Sequence, residues 1–237
     1  MTKLSKPIYL LKRRAKSIAR EEGIPLHQAQ SRIARNEGFG SWSLLTSKAT
    51  EPFADDLLGQ FHDGDLVLLS ARQGEGKTML ALRFLLDGRR EGRRAVLFTL
   101  EFNHAEALAR LRSIDADGLA ESVEIETSDD IDAAYIVKAL SLAPKGTVAV
   151  VDYLQLLDQC RSKPAISDQL RILHRFAKDR QIVLVFISQV DRSFDPTVSE
   201  LPGMAHVRVP NPIPLDLFSK ALFLHAGRVR FQNLLSK

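Results

Sequence analysis

The 237-residue chain is 45% apolar and 26% charged, proportions that exclude a disordered or fibrous protein and fit a folded globular one. Its single cysteine, Cys160, excludes an internal disulfide and any cysteine-only metal cluster, and favours a reducing compartment. No apolar run reaches the roughly 18 residues of a membrane span, and Ile8-Tyr9-Leu10-Leu11 is too short for a signal core. The expectation is therefore a cytoplasmic protein with no membrane partner.

The net charge is +4, but it is unevenly spread. Residues 1–50 hold ten Lys/Arg against three Glu, a net +7, and the remainder carries a net −3. Such asymmetry suggests that the N-terminal part meets something acidic, with nucleic acid the first candidate and a merely solvated basic face the alternative.

Residues 8–22 carry a helical pattern, with Leu10, Leu11, Ala15, Ile18 and Ala19 on one side and Lys12, Arg13, Arg14, Lys16 and Arg20 on the other. Gly23 stops it. Pro25 suits the first turn of a second helix, which Leu26, Ala29, Ile33 and Ala34 carry to Gly38. Ser41 is placed to cap a short third helix through Trp42, Leu44 and Leu45. The expected organisation is a basic three-helix module over residues 1–50, followed by an α/β domain over 51–237. Phe39 and Trp42 are expected in the core of the module rather than as a base-stacking pair. Gly23 to Ala29 and Gly38 to Leu45 together resemble a short helical module found beside glyoxalase-related proteins, a likeness of about 40 residues that implies no activity.

A connector with an acidic patch at Asp55-Asp56 leads to the apolar run Leu66 to Leu69. The run breaks into Ser70, Ala71, Arg72, Gln73, Gly74, Glu75, Gly76, Lys77 and Thr78, and a helical pattern with Leu80, Ala81, Phe84 and Leu85 on one face follows. Strand, glycine loop, Lys-Thr and helix is the layout of a phosphate-binding P-loop. Loop N–H groups and the positive helix end wrap a polyphosphate, Lys77 reaches the β- and γ-phosphates, and the Thr78 hydroxyl ligates Mg²⁺. Ala71 stands where the strict pattern has Gly, and Glu75 adds a negative charge near the phosphate. The alternative is a Gly-rich turn with a solvent-facing lysine.

Ala95 to Leu100 reads as a buried parallel strand ending in Glu101. A helix from about His104 to Arg112, a weaker strand at 123–125 and a helix from Asp132 to Leu142 come next. Thr147 to Val151 is a second buried strand, ending in Asp152. Ile166 to Lys178 is helical, and the strand Ile182 to Ile187 ends in Ser188-Gln189. Residues 195–215 hold five of the ten prolines and read as a long irregular loop. Two strands joined at Ala226-Gly227 close the chain. The alternation predicts a mainly parallel sheet with helices on both faces.

In such sheets ligands sit beyond the carboxyl ends of the strands. Glu101, Asp152 and Gln189 all arrive there, beside the P-loop. Asp152 is placed to hold Mg²⁺ with Thr78, Glu101 to polarise an attacking water, and Gln189 to sense the γ-phosphate. The histidines show no metal-ligand spacing, and no nucleophile elbow stands out.

These residues carry a resemblance to the ATPase domain of DnaB-type replicative DNA helicases. Ala71 to Thr78 resembles that family's P-loop, Thr99-Leu100-Glu101 its Ser-Leu-Glu element, Val151-Asp152-Tyr153-Leu154-Gln155-Leu156 its Walker B motif, and Ser188 to Arg192 its Ser-Gln-Leu-x-Arg motif. The likeness spans roughly residues 57–192. It implies a RecA-like P-loop NTPase fold, the cofactors ATP and Mg²⁺, action on single-stranded DNA, and a homo-oligomer such as a hexameric ring with shared ATP sites. That family's N-terminal helical domain is replaced here by the basic module. Its late Lys-x-Arg-x-Gly hairpin, source of an arginine finger, has no evident counterpart, though Arg228 and Arg230 lie on a late hairpin. Arg192, Arg208 and the proline-rich loop would face DNA. A competing reading is an ATP-gated DNA-binding or regulatory assembly protein with little helicase activity. A third is a RecA-like signalling ATPase of the circadian-clock type with no DNA role.

Overall fold

The computed structural model describes residues 8–49, 57–152, 154, 164–208 and 213–234. Asp55-Asp56, Tyr153, Gln155, Leu156, Cys160, Pro210 and Pro212 lie outside the described residues.

Three helices come first: α1 (Ile8–Glu21), α2 (Leu26–Asn36) and α3 (Trp42–Ala49). Leu11 and Ala15 of α1 meet Ala29, Ile33 and Ala34 of α2, and Phe39 and Leu45 complete a small core with Trp42 packed against it. Three alanines at the contact let the helix axes approach closely. Pro25 sits one residue before α2, so the proline caps the helix instead of opening its first turn. Ser41 caps α3 as expected, its Oγ accepting from the Leu44 N–H at 3.1 Å.

The remaining chain builds one seven-stranded sheet in the order β3-β2-β4-β5-β1-β6-β7. Its strands are β1 (Leu66–Ala71), β2 (Ala95–Thr99), β3 (Glu124–Glu126), β4 (Val148–Asp152), β5 (Val183–Gln189), β6 (Lys220–His225) and β7 (Arg228–Asn233). Every pairing is parallel except β6 with β7. The central strands are buried on both faces, which is why they read as continuous apolar runs. Helices α4 (Lys77–Arg90) and α5 (His104–Ile114) cover one face, and α6 (Ala133–Ala139) and α7 (Ile166–Arg180) the other. Among the described residues no helix is long and apolar enough to cross a membrane.

Two details set the position of α4. Gly88 lets it lie against β4, where a Cβ would come within 3.1 Å of Val148 Cγ2. Phe61 and Phe84 then meet edge to face under its middle. Helix α5 starts at a capping box in which the Asn103 side chain accepts from the Glu106 N–H at 3.0 Å and Glu106 accepts in return from the Asn103 N–H at 3.2 Å.

Helix α6 is shorter than expected. Asp132 caps it, it ends at Ala139, and Leu142 is 89% exposed. Pro144 shortly beyond accounts for the early stop, because proline cannot extend a helix and constrains the residue before it. Ser70 and Ala71 belong to β1 rather than to the loop, since each pairs with strands on both sides.

Candidate functional site

Side-chain alternation decides which residues meet at the carboxyl edge. Val148 and Val150 of β4 face α4, so Asp152 faces it too, and the same parity turns Thr99 and Gln189 to that side. The register sets Thr99 beside Asp152, and Ala71 beside Gln189. Directly after β1 the chain runs through Arg72 to Gly76 and enters α4 at Lys77. Gly76 precedes the helix at φ +89°, a left-handed conformation open to glycine. The free N–H groups at the start of α4 therefore open onto the same edge as Asp152.

Asp152 is 1% exposed, and among the described residues neither carboxyl oxygen accepts a hydrogen bond. Burial, then the negative charge of Glu101, pushes its pKa up to about 7. The Lys77 ammonium, the Thr78 hydroxyl and Arg110 pull the other way. Thr78 acts there by proximity, without reaching hydrogen-bond geometry. Lys77 is itself 8% exposed, with no carboxylate within ion-pair distance among the described residues. A buried lysine and a buried carboxylate, each lacking a full partner, form a costly arrangement. An oxyanion with a bound cation would satisfy both, so the donor set fits ATP with Mg²⁺.

Glu101 is exposed just past β2, its N–H donating to Thr99 Oγ1 at 3.1 Å. Gln189 is half-buried, and its Oε1 accepts from Arg208 Nη1 at 3.3 Å. Lys77, Thr78, Glu101 and Asp152 are thus brought into one electrostatic neighbourhood, while Gln189 reaches the same edge at the end of β5, between β4 and β1.

Two loop side chains point elsewhere than the sequence suggests. Glu75 does not add charge at the phosphate position. Its carboxylate accepts from the Ala226 N–H at 2.8 Å and lies 3.2 Å from His225 Nδ1, pinning the β6–β7 turn. Arg72 turns away too, donating to the carbonyls of Arg192, at 3.1 Å, and Phe194. Its guanidinium lies 5.3 Å from the Phe194 ring centroid, and that ring meets His206 and His225 edge to face. Any contact of Arg72 or Glu75 with a nucleotide is thereby confined to the main chain, as it is for Ala71, which closes β1. Gln73 and Gly74 complete the loop, Gly74 at φ +85° with open space around it.

On the late hairpin, Arg228 pairs with Glu200 at 2.8 Å, and Arg230 donates to the Pro202 carbonyl at 3.4 Å. The loop after β5 is closed at its base by an antiparallel bridge between Val190 and Val207. Sequence reasoning missed Arg110, which stacks 3.9 Å from the Phe102 ring centroid and helps to offset the Asp152 charge. No spacing signal marks it, because its role depends on where α5 lands.

Comparison with known proteins agrees with this geometry. The DnaB replicative helicase of Helicobacter pylori is 24% identical over 240 residues, covering 86% of this chain and 49% of that protein. The DnaB of Leifsonia xyli is 23% identical over 195 residues, 68% of this chain and 43% of its own length. The chain spans less than half the length of these relatives. A DnaB-like replicative helicase solved with its primase interactions superposes with a TM-score of 0.57 at 19% identity, over 90% of this chain and 66% of that one. A KaiC-like protein from Pyrococcus horikoshii gives 0.54 at 21%, over 72% and 76%. Both likenesses establish the RecA-like P-loop ATPase fold that the sheet order and P-loop describe. The family profile described as "ATPase: KaiC" matches residues 51–222, most of the chain, so the protein belongs to the KaiC ATPase family.

Proposed function

We propose that this protein is an ATP- and Mg²⁺-dependent DnaB-like translocase or helicase, acting on single-stranded DNA as a homo-oligomer. One observation carries the proposal: the buried Asp152 carboxyl, with both oxygens unpartnered among the described residues, lies within the fields of Lys77 and Thr78. Residues 51–237 are the ATPase domain in this reading, and residues 1–50 a basic module attached to it.

Bound ATP with Mg²⁺ supplies the cleavable phosphoanhydride and the Lewis acid that polarises it. Lys77 offsets charge on the phosphates, and the N–H groups of Gly74 to Thr78 orient them. Thr78 and Asp152 hold the cation. Glu101, exposed and next to Asp152, orients a water and takes its proton at the carboxylate. Gln189 reports the state of the site to Arg208 through their hydrogen bond. Arg192, Arg208 and the loop they bracket contact the DNA backbone, a sequence-tolerant and salt-sensitive mode.

A second reading, an ATP-gated DNA-binding or regulatory assembly protein, is favoured by the hairpin. Arg228 is engaged by Glu200 and Arg230 by a carbonyl of the same chain, so neither is presented ready for a neighbouring site.

Steady-state hydrolysis with and without single-stranded DNA, across protein concentration, separates the two. The motor predicts DNA stimulation, a concentration threshold, and at least about a 100-fold loss in Lys77→Ala and Glu101→Gln. Tight ATP binding with flat, near-zero turnover would establish the switch instead. Turnover indifferent to DNA, with no DNA binding at low salt, would sink both.

A further inference from the structure

Lys12, Lys16 and Arg20 follow one another at i, i+4 and i+8 along α1, and all three are exposed. The row is about 12 Å long at 1.5 Å rise per residue, and Arg14 is exposed on the flank of the same helix. None of these four cations has a carboxylate within ion-pair distance among the described residues. The nearby acids are occupied: Glu22 takes both of its contacts from Arg32 at 2.7 and 2.8 Å, and Glu21 accepts from Ser17 Oγ at 2.7 Å.

From this row we infer that the outer face of α1 is a docking surface for the backbone of duplex DNA, separate from the ATP site. Charge complementarity selects a polyanion, and the spacing selects a regular one. Three cations about 6 Å apart fall at roughly every second phosphate of one strand, since these advance about 3.4 Å each along the duplex axis. A membrane surface fits poorly because Leu11 and Ala15, the apolar face that an interfacial helix would insert, are buried against α2. A single strand fits poorly too. Phe39 is buried in the module's core and Trp42 packs against it, so neither is presented as a platform on which unstacked bases could rest.

Fluorescence anisotropy on the full chain without nucleotide tests the inference, using a 30-bp duplex and a 30-nucleotide strand of mixed sequence between 50 and 200 mM salt. Lys12→Ala/Lys16→Ala/Arg20→Ala is expected to weaken duplex binding about 10- to 100-fold at 50 mM and to flatten the log–log salt slope by about 2–3. Lys12→Arg/Lys16→Arg/Arg20→Lys is expected to retain both, and circular dichroism melting should match wild type in either variant. An unchanged duplex slope in the folded alanine variant would overturn the inference. So would a loss confined to the single strand, or a loss seen only with vesicles of anionic phospholipid. Because no ATP is present, failure here leaves the proposed turnover untouched, and failure of DNA-stimulated turnover leaves this surface standing.

Discussion

The two ends of the sheet bury charge in opposite ways. Among the described residues, Asp152 at the carboxyl edge sits buried with no hydrogen-bond partner, beside a lysine that lacks an ion pair. At the amino edge, Asp65 and Lys220 are equally buried but saturated. Lys220 Nζ reaches Asp65 Oδ2 at 2.5 Å and His62 Nδ1 at 2.8 Å, Ser219 Oγ donates to Asp65 Oδ1 at 2.7 Å, and the His62 N–H donates to Asp65 Oδ2 at 2.6 Å. The same protein can thus satisfy a buried carboxylate fully with its own groups. The unpartnered carboxylate at the other edge is, in the proposed function, the position that a bound cation would fill.

The largest stability effect should come from the saturated end. Lys220→Ala removes one member of a buried pair and leaves Asp65 charged in the interior, an expected loss of about 3–5 kcal/mol. Replacing both partners with apolar residues, Lys220→Met with Asp65→Leu, should cost less than the single change, because no uncompensated charge remains. Urea unfolding of the two variants measures this. A single change costing under about 1 kcal/mol would break the contrast, since the amino edge would then be no more structural than the surface pairs.

The carboxyl-edge side of this contrast was legible in the sequence, and the reason is the burial of the strands. Apolar runs at Leu66 to Leu69, Ala95 to Leu100 and Thr147 to Val151 are continuous because both faces of those strands are covered. A polar residue at the end of such a run must therefore emerge at the edge. That logic sets Glu101 and Asp152 at the edge where Lys77 opens α4. The destinations of Arg72 and Glu75 were not legible, because each finds partners more than 100 residues away in sequence. Glu75 holds Ala226, a non-glycine residue at φ +54°, in a turn whose second residue is Gly227 at +76°. No local pattern announces that a P-loop glutamate will support a distant hairpin. The Asp65–Lys220 pair escaped for the same reason.

Asp152 itself gives an intermediate effect with a defined sign. Its folded pKa, about 7, lies above the ordinary carboxyl value of 3.8, so the folded state holds a proton that the unfolded state has released between those values. The contribution to stability is complete below the lower value and is lost as pH rises through 7. Between pH 6 and pH 8 the nucleotide-free protein should lose about 1.4 kcal/mol from this group, a drop in melting temperature of about 3–5 °C. Asp152→Asn, which cannot ionise, should remove that slope and be the more stable form at pH 8. Parallel melting profiles for the two proteins would mean that the carboxylate is solvated or paired, and that the edge is not held open.

The smallest effect asks whether every unpartnered group marks a site. Among the described residues Ser70 Oγ is also buried without a hydrogen bond, and so is Ser188 Oγ beside it in register. By parity, however, both face away from α4: Leu66 and Leu68 of β1 pack on the α6–α7 side, and Ser70 follows them. An unsatisfied hydroxyl inside an apolar layer costs free energy, and this one lies on the face opposite the P-loop helix. Ser70→Ala should therefore stabilise the protein by about 1 kcal/mol, a rise of about 2–4 °C in melting temperature, with ATP turnover unchanged. If Ser70→Ala instead lowers turnover while leaving the melting temperature alone, the functional edge extends through the sheet to its second face. The distinction between the two ends would then be one of depth as well as direction.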